Sequence, residues 1–168
     1  AEAEGIASTI GRLQSVSDAA LAHLELSELL PEILKRAAAV FPADAAGILM
    51  RTGDERTLAV MCPDGAERMI EDEQQLEAAE MLLRPALQSG PLNLAQAAAP
   101  EPFVRMLGGA QVGSLVAAPL SAGRSPLGVL FLAAAEPRRF SDEDMVVLGL
   151  GAERAAIAVE HARSYERE

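Results

Sequence analysis

Two short apolar runs form the clearest hydrophobic pattern in the chain. They cover Ser114–Leu120 and residues 127–133, and a connector containing glycine and proline separates them. A connector too short for a helix between two such runs predicts an antiparallel β-hairpin. Because both runs are almost continuously apolar, we expect the hairpin to lie inside a sheet that is covered on both faces. Pro119 has no backbone donor and predicts a bulge or a strand end at that point.

Further strands are predicted in the first half of the chain and just before the hairpin. Residues 45–51 and 57–62 are β-prone runs on either side of a turn. Along the second run, alternation places Leu58 and Val60 on one face of the sheet. The run Leu92–Leu94 follows a Gly-Pro helix stop and predicts a short edge strand.

Apolar spacings of four and three predict a helix at the start of the chain, over residues 3–24. Its stripe begins with Ile6, Ile10 and Leu13. Such a narrow stripe indicates either a seam between two helices of a dimer or an ordinary amphipathic face against the domain's own core.

Three internal helices are predicted from caps and spacing. The first begins at an N-cap on Ser27, with Pro31 in its first turn, and ends at Pro42. The second follows the acidic residues 71–73, whose negative charge suits a helix N-terminus. The third is a single turn over residues 103–107.

The last helix is predicted to start at an N-cap on Ser141, with Asp144 completing a capping box, and to run to about Tyr165. One apolar side can pack on the sheet. A second apolar stripe, about half a turn away, consists of Val146, Leu150 and Ile157. Because a helix that is apolar on two sides must be covered twice, this second stripe predicts contact with another helix, either from this chain or from a partner chain.

Composition narrows the possible functions. The net charge of -11 over 168 residues argues against binding to nucleic acid or to an anionic membrane surface. One cysteine cannot form an internal disulfide, and no apolar run is long enough to span a membrane. We therefore expect one cytoplasmic domain with helical extensions.

No residue pattern predicts catalysis or a metal site. His23 and His161 are predicted to lie on the outer helices. Three roles are open for each of them: a haem ligand, a phosphoacceptor or an exposed helix residue. Cys62 is either a redox sensor or a small buried apolar residue. The six methionines are expected to fill the core or to line an adaptable pocket. No Ser/His/Asp set or carboxylate pair stands out, so we expect no enzymatic activity, no cofactor and no metal in this chain.

The order of these pieces resembles the GAF domain family over nearly the whole chain. The hairpin, the link at 137–144 and the helix ending at 168 are similar to its C-terminal half, and residues 13–49 to its opening half. The resemblance implies an α+β, PAS-related fold with a central antiparallel sheet of about six strands. The resemblance also implies that the N- and C-terminal helices pack on one face of the sheet and that a ligand pocket lies on the other face. It divides the chain into a dimerisation helix (1–24), a core (25–140) and a C-terminal helix (141–168) that leads to an effector.

The resemblance also bears on partners. GAF domains are sensory or dimerising modules of bacterial signalling proteins, and the tail is similar to those that precede histidine kinase or PP2C-type phosphatase effectors. A GAF module of an RNA-binding antiterminator is an alternative match. Segment 71–77 lacks the glycine-rich turn of many members, and the Asn-Lys element of cyclic-nucleotide binders is absent. Cys62 lacks the neighbouring histidine of bilin binders, and sulfoxide reductases of the family need more cysteines.

Two functions are therefore predicted. The first is a non-catalytic regulatory domain that transmits a signal to an effector and binds neither nucleic acid nor membrane. Its homodimer contacts are predicted at Ile6, Ile10, Leu13, Val146, Leu150 and Ile157. The second is a small-molecule receptor with an apolar pocket between the sheet and segment 70–103. Its lining is predicted to be Leu58, Val60, Leu82, Phe103, Leu107, Leu115, Ala117, Val129 and Phe131.

Overall fold

A six-stranded antiparallel sheet lies between two layers of helices. The computed structural model describes residues 26–41, 43–52, 55–121, 125–137 and 140–167. The elements in this part of the chain are α1 (Leu26–Val40), β1 (Ala45–Thr52), β2 (Glu55–Met61), β3 (Glu67–Met69), α2 (Glu73–Ser89), β4 (Leu92–Leu94), α3 (Glu101–Met106), β5 (Ser114–Leu120), β6 (Gly128–Ala134) and α4 (Asp142–Arg167).

The strand order is β3-β2-β1-β6-β5-β4, so β1 and β6 lie at the centre. The predicted hairpin is confirmed: β5 pairs with β6 in a continuous register from Ser114↔Ala134 to Leu120↔Gly128. The two central strands are almost wholly apolar because both of their faces are covered. The predicted α+β fold with about six antiparallel strands is confirmed.

Pro119 lies within β5 and pairs with Val129 without a bulge, one residue before the strand ends at Leu120. Among the described residues, β4 reaches β5 only as far as Ala117. Pro119 therefore deprives no neighbouring strand on that edge of a hydrogen bond.

The first core lies on the face of the sheet that α1 and α4 cover. Leu29, Ile33 and Leu34 of α1 and Leu148 and Val159 of α4 are fully buried there or nearly so. The described N-terminal helix and the C-terminal helix thus share one face, as predicted. The earlier helix predicted over 3–24 lies outside the described residues.

The second core lies on the opposite face, under α2 and α3. Alternation along β2 sends Leu58 and Val60 to this face, as predicted, and Ala59 to the first core. Leu83 of α2 and Phe103 of α3 are buried against the same face. The residues predicted to line a ligand pocket lie on this side of the sheet.

The start of α4 confirms the cap predicted there, and the start of α2 confirms that the acidic residues before it lie at a helix N-terminus. Ser141 Oγ accepts a hydrogen bond from the Asp144 amide at 3.0 Å, and the Asp144 carboxylate accepts one from the Ser141 amide at 3.1 Å. Asp72 caps α2 by accepting from the amide of Gln75 at 3.0 Å. The acidic residues before α2 and α4 are therefore engaged at helix N-termini.

The prediction for the start of α1 is wrong. Ser27 lies within the helix, because Leu26 is already helical, and Pro31 lies inside it instead of in the first turn. The missing amide of Pro31 removes one bond to the carbonyl of Ser27. Burial of the α1 face around Leu30 and Ile33 outweighs that loss.

Candidate functional site

The nine residues predicted to line a pocket are brought together in the second core. Eight of them are buried, and Leu82 is half-buried against the same cluster. β2, β5 and β6 contribute their inward-facing side chains, and α2 and α3 close the space from outside. The arrangement is an apolar interior between the sheet and two helices.

Phe131 and Phe103 fill this interior at its centre. Their ring centroids are 5.4 Å apart with the rings tilted by 48°, and neither side chain is exposed. Phe131 lies over Gly47, its partner in the register of β1 and β6. A Cβ on Gly47 would lie 2.2 Å from Phe131 Cζ, so the ring occupies the space that a side chain on β1 would take. A ligand in this interior would have to displace one of the two rings.

An open groove lies on the outer side of α2, next to the loop that leads into α3. Its volume is about 530 Å³. It is lined by Gln74, Glu77, Ala78, Met81, Leu82, Pro100 and Pro102. Leu82 is the one predicted pocket residue that reaches this groove, and Met81 is 64% exposed beside it. The groove is mainly apolar, with one carboxylate in its lining.

A group of ion pairs ties α2 to the β1–β2 hairpin. Arg56 Nη1 donates to Glu80 Oε2 at 2.7 Å, and the same guanidinium also pairs with Glu73. Arg51 Nε lies 3.3 Å from Glu80 Oε1. The hydrogen bonds to Glu80 and then to Glu73 raise the pKa of Arg56 above its ordinary value, so this cation keeps its charge at any physiological pH.

The same hairpin also touches the last helix. The guanidinium of Arg163 on α4 lies 3.4 Å from the backbone carbonyl oxygen of Arg51. Arg51 thus meets α2 through its side chain and α4 through its backbone. The end of the hairpin therefore contacts both α2, which borders the groove, and α4.

The predicted second stripe of α4 faces outward. Val146, Leu150 and Ile157 are 57%, 39% and 43% exposed, respectively, while the opposite side of the helix is buried in the first core. Large apolar side chains on one continuous line of an exposed helix face are typical of a contact surface. Ile6, Ile10 and Leu13, the other predicted dimer residues, lie outside the described residues.

The remaining candidate residues are placed as follows. Cys62 is a buried free thiol, with its Sγ 3.9 Å from the carbonyl oxygen of Met106, which supports its interpretation as a small buried residue. His161 is an exposed residue of α4, and His23 lies outside the described residues. Met69 and Met81 are 56% and 64% exposed, so neither fills the core, and Met81 lines the groove instead.

Two negative findings apply to the described ranges. They hold no group of three or more histidine, cysteine, aspartate or glutamate side chains placed to bind a metal ion. They also hold no helix with the length and apolar character needed to cross a membrane.

Sequence reasoning missed the ion pairs and the groove. Glu73 and Glu80 are seven residues apart, which places them on one face of α2, and this spacing was a usable signal for the ion pairs. Their partners Arg51 and Arg56 flank a hairpin turn, and only the three-dimensional fold brings that turn to the helix. The groove depends on where the loop before α3 passes, which no local pattern specifies.

Comparisons with known proteins agree with this architecture. A sequence model of the GAF domain family matches residues 23–160. The formate hydrogenlyase transcriptional activator of Salmonella typhimurium (strain SL1344) is 29% identical over 92% of this chain. The chain spans only 23% of the length of that relative.

Two solved structures share the fold. The GAF domain from a phosphoenolpyruvate-protein phosphotransferase of Coxiella burnetii has a TM-score of 0.67 at 18% identity, over 96% of this chain and 98% of that one. A GAF domain assigned to a sensor histidine kinase of Pseudomonas syringae pv. tomato has a TM-score of 0.67 at 21% identity, over 99% and 96%. With the family match over residues 23–160 and the six-stranded sheet, these findings show that the chain belongs to the GAF domain family.

Proposed function

We propose that this GAF domain is a regulatory module that dimerises through its terminal helices and transmits a conformational signal to a covalently linked effector. GAF domains are generally non-catalytic sensory or regulatory modules, and the chain belongs to that family. The observation that carries the proposal is the exposed apolar stripe on α4, because a helix face of this kind is stable in water when another helix covers it.

The effector in this proposal acts on transcription. The relative matched over 92% of this chain is a transcriptional activator, and most of that protein lies outside the matched region. That similarity supports a transcriptional effector over the histidine kinase or PP2C-type phosphatase predicted from the tail. A cytoplasmic location suits such a role and stays a prediction.

The relay in this proposal runs through the end of the β1–β2 hairpin. A shift of α2 pulls on Glu80, which is held by Arg56 and Arg51. Arg51 passes the shift through its backbone to Arg163 on α4. Because the side chains of Arg56 and Glu80 are only 17% and 16% exposed, their charges attract each other more strongly than they would in bulk water.

The dimer is tested by sedimentation equilibrium on the 168-residue chain. We expect a dimer at concentrations well above micromolar, and we expect Leu150→Glu and Ile157→Glu to give folded monomers. Met81→Glu is the matched control, since it places the same charge on another exposed apolar residue and should leave the dimer intact. A wild-type chain that stays monomeric would reject the proposal.

A second candidate function is a small-molecule receptor, and the groove beside α2 favours it. Its volume of about 530 Å³ lies within the range of roughly 300–1,000 Å³ usual for ligand sites. A thermal-shift screen should find a compound that raises the melting temperature of the wild type and of Met69→Glu but not of Met81→Glu. A screen in which no compound separates these proteins would count against a receptor site in the groove.

A further inference from the structure

The acidic and basic residue types beside the apolar stripe of α4 lie on opposite flanks of it. Glu153 and Glu160 lie on one flank of the stripe, Arg154 and His161 lie on the other, and all four are exposed. At 3.6 residues per turn, each flank is roughly 40–60° from the centre line of the stripe. The outer face of α4 therefore has an acidic edge, an apolar centre and a basic edge.

The same pattern occurs twice along the helix. Leu150 and Ile157 are seven residues apart, and each flank repeats at the same interval from Glu153 and Arg154. A seven-residue repeat is the period of helices that pair side by side in a left-handed supercoil. A helix that only packs on its own domain needs no such order on its outer face.

We propose that two copies of this chain pair through α4 in parallel, so that Glu153 of each copy meets the partner's Arg154. This inference rests on the proposed dimer and adds its direction and its charge contacts. A two-fold axis parallel to the helices turns the acidic edge of one copy towards the basic edge of the other. A two-fold axis across the helices would instead bring acidic edge to acidic edge and basic edge to basic edge.

Charge complementarity therefore separates the two arrangements. The parallel pair gains two reciprocal Glu153–Arg154 contacts, while the antiparallel pair centred on the stripe opposes like charges at the same place. Arg154 is already engaged within its own chain, and its five donors allow it to bind a second carboxylate as well. Exposed pairs of this kind fix direction more than they add affinity, and the apolar stripe supplies the contact area.

The start of α4 limits where the two helices can be close. Both flanks are acidic in the first turn, at Asp142 and Glu143. Parallel helices bring these carboxylates together, so we expect the pair to be tightest from Leu150 onwards and to diverge towards the N-terminal end. Both C-terminal ends then leave on the same side of the dimer.

Cysteine cross-linking of the full 168-residue chain determines whether the two α4 helices pair in parallel or antiparallel. Cys62 is the single cysteine and is buried, so Cys62→Ala supplies the background. Val146→Cys, Leu150→Cys and Ile157→Cys are made one at a time and oxidised. Parallel pairing places positions 150 and 157 each opposite its own copy, within the short reach of a disulfide, so both single variants should cross-link. A mixture of Leu150→Cys and Ile157→Cys should give few mixed cross-links.

The second, independent measurement is the dimer affinity of variants in which the charges at positions 153 and 154 are reversed. Glu153→Arg should weaken the dimer by roughly ten-fold, because two attractive exposed pairs become repulsive. The double variant Glu153→Arg with Arg154→Glu should recover wild-type affinity. Glu77→Arg, on the other side of the molecule, is the control for the change in net charge.

The outcomes separate this inference from the proposed dimer. A dimer that gives mixed 150–157 cross-links and no self-cross-links is antiparallel, which overturns the parallel pairing and leaves the proposed dimer standing. A dimer that cross-links at none of these positions overturns the assignment of the stripe. A monomer overturns both, and a bridge within one chain from Ile10→Cys to Ile157→Cys would show that the N-terminal segment covers the stripe.

Discussion

Gly47 is the position where a single methyl group tests the packing of the second core. In the structure an added Cβ would lie 2.2 Å from Cζ and 2.3 Å from Cε1 of Phe131. Contacts this short must be relieved by moving the ring or the strand. The ring is fully buried against Phe103, and β1 is held by β2 and β6 on both sides. We therefore expect Gly47→Ala to be strongly destabilising.

The magnitude follows from the geometry. Overpacking a core by one methyl group costs about 1–3 kcal/mol, and the lack of room to move places this site near the upper end, at about 3 kcal/mol. In a Phe131→Leu background the cost should fall to about zero, because leucine has none of the ring atoms that the new Cβ would meet. Alanine is also favoured over glycine in a strand by roughly 0.5–1 kcal/mol. The coupling between the two sites should be about 3 kcal/mol.

Urea unfolding followed by far-ultraviolet circular dichroism measures all four proteins of this cycle. Circular dichroism is the suitable signal because the chain has no tryptophan and one tyrosine. The reasoning is wrong if Gly47→Ala lowers the free energy of unfolding equally in the wild-type and Phe131→Leu backgrounds. Such a result would mean that Phe131 does not cover Gly47 in solution.

Three further predictions use the same unfolding measurement. Ser141→Ala should lower the free energy of unfolding by about 1 kcal/mol, since the Asp144 amide loses its acceptor; an unchanged value would show that the capping box contributes nothing. Gly149→Ala should raise it by roughly 0.8–1 kcal/mol, because an added Cβ meets no atom within 4 Å and alanine is the better helix former; a loss would reveal a contact on that side of α4. Gly128→Ala should prevent stable folding, because the new Cβ would lie 2.0 Å from the backbone oxygen of Leu49, and a stably folded variant would contradict the observed strand spacing.

Local signals predicted much of this fold. Apolar runs and turn residues specified the β5–β6 hairpin within one residue, because pairing between neighbours in sequence depends on short-range chemistry. The capping box at Ser141 was readable for the same reason. The start of α1 was predicted wrongly because Ser27 suits an N-cap, whereas Leu26 and Ser27 already lie within the helix.

The features of the fold and of the candidate site that were not predicted depend on contacts between segments that are distant in the sequence. The inward face of β2 predicted which residues gather between the sheet and α2, but not that this space is filled. Filling depends on the register of β1 with β6, which sets Phe131 over Gly47 from 84 positions away in the sequence. The placement of Arg56 beside Glu80 likewise requires the hairpin and α2 to be neighbours in the folded chain.

The two edge strands of the sheet affect how copies of the molecule can associate. β3 and β4 have three residues each, and β3 carries Glu67 and Arg68 on its exposed length. A foreign strand would find too few free amides on either edge to build a ladder, and the charged side chains of β3 would also oppose it at that edge. Concentrated solutions should therefore resist fibril growth through the edges of the sheet.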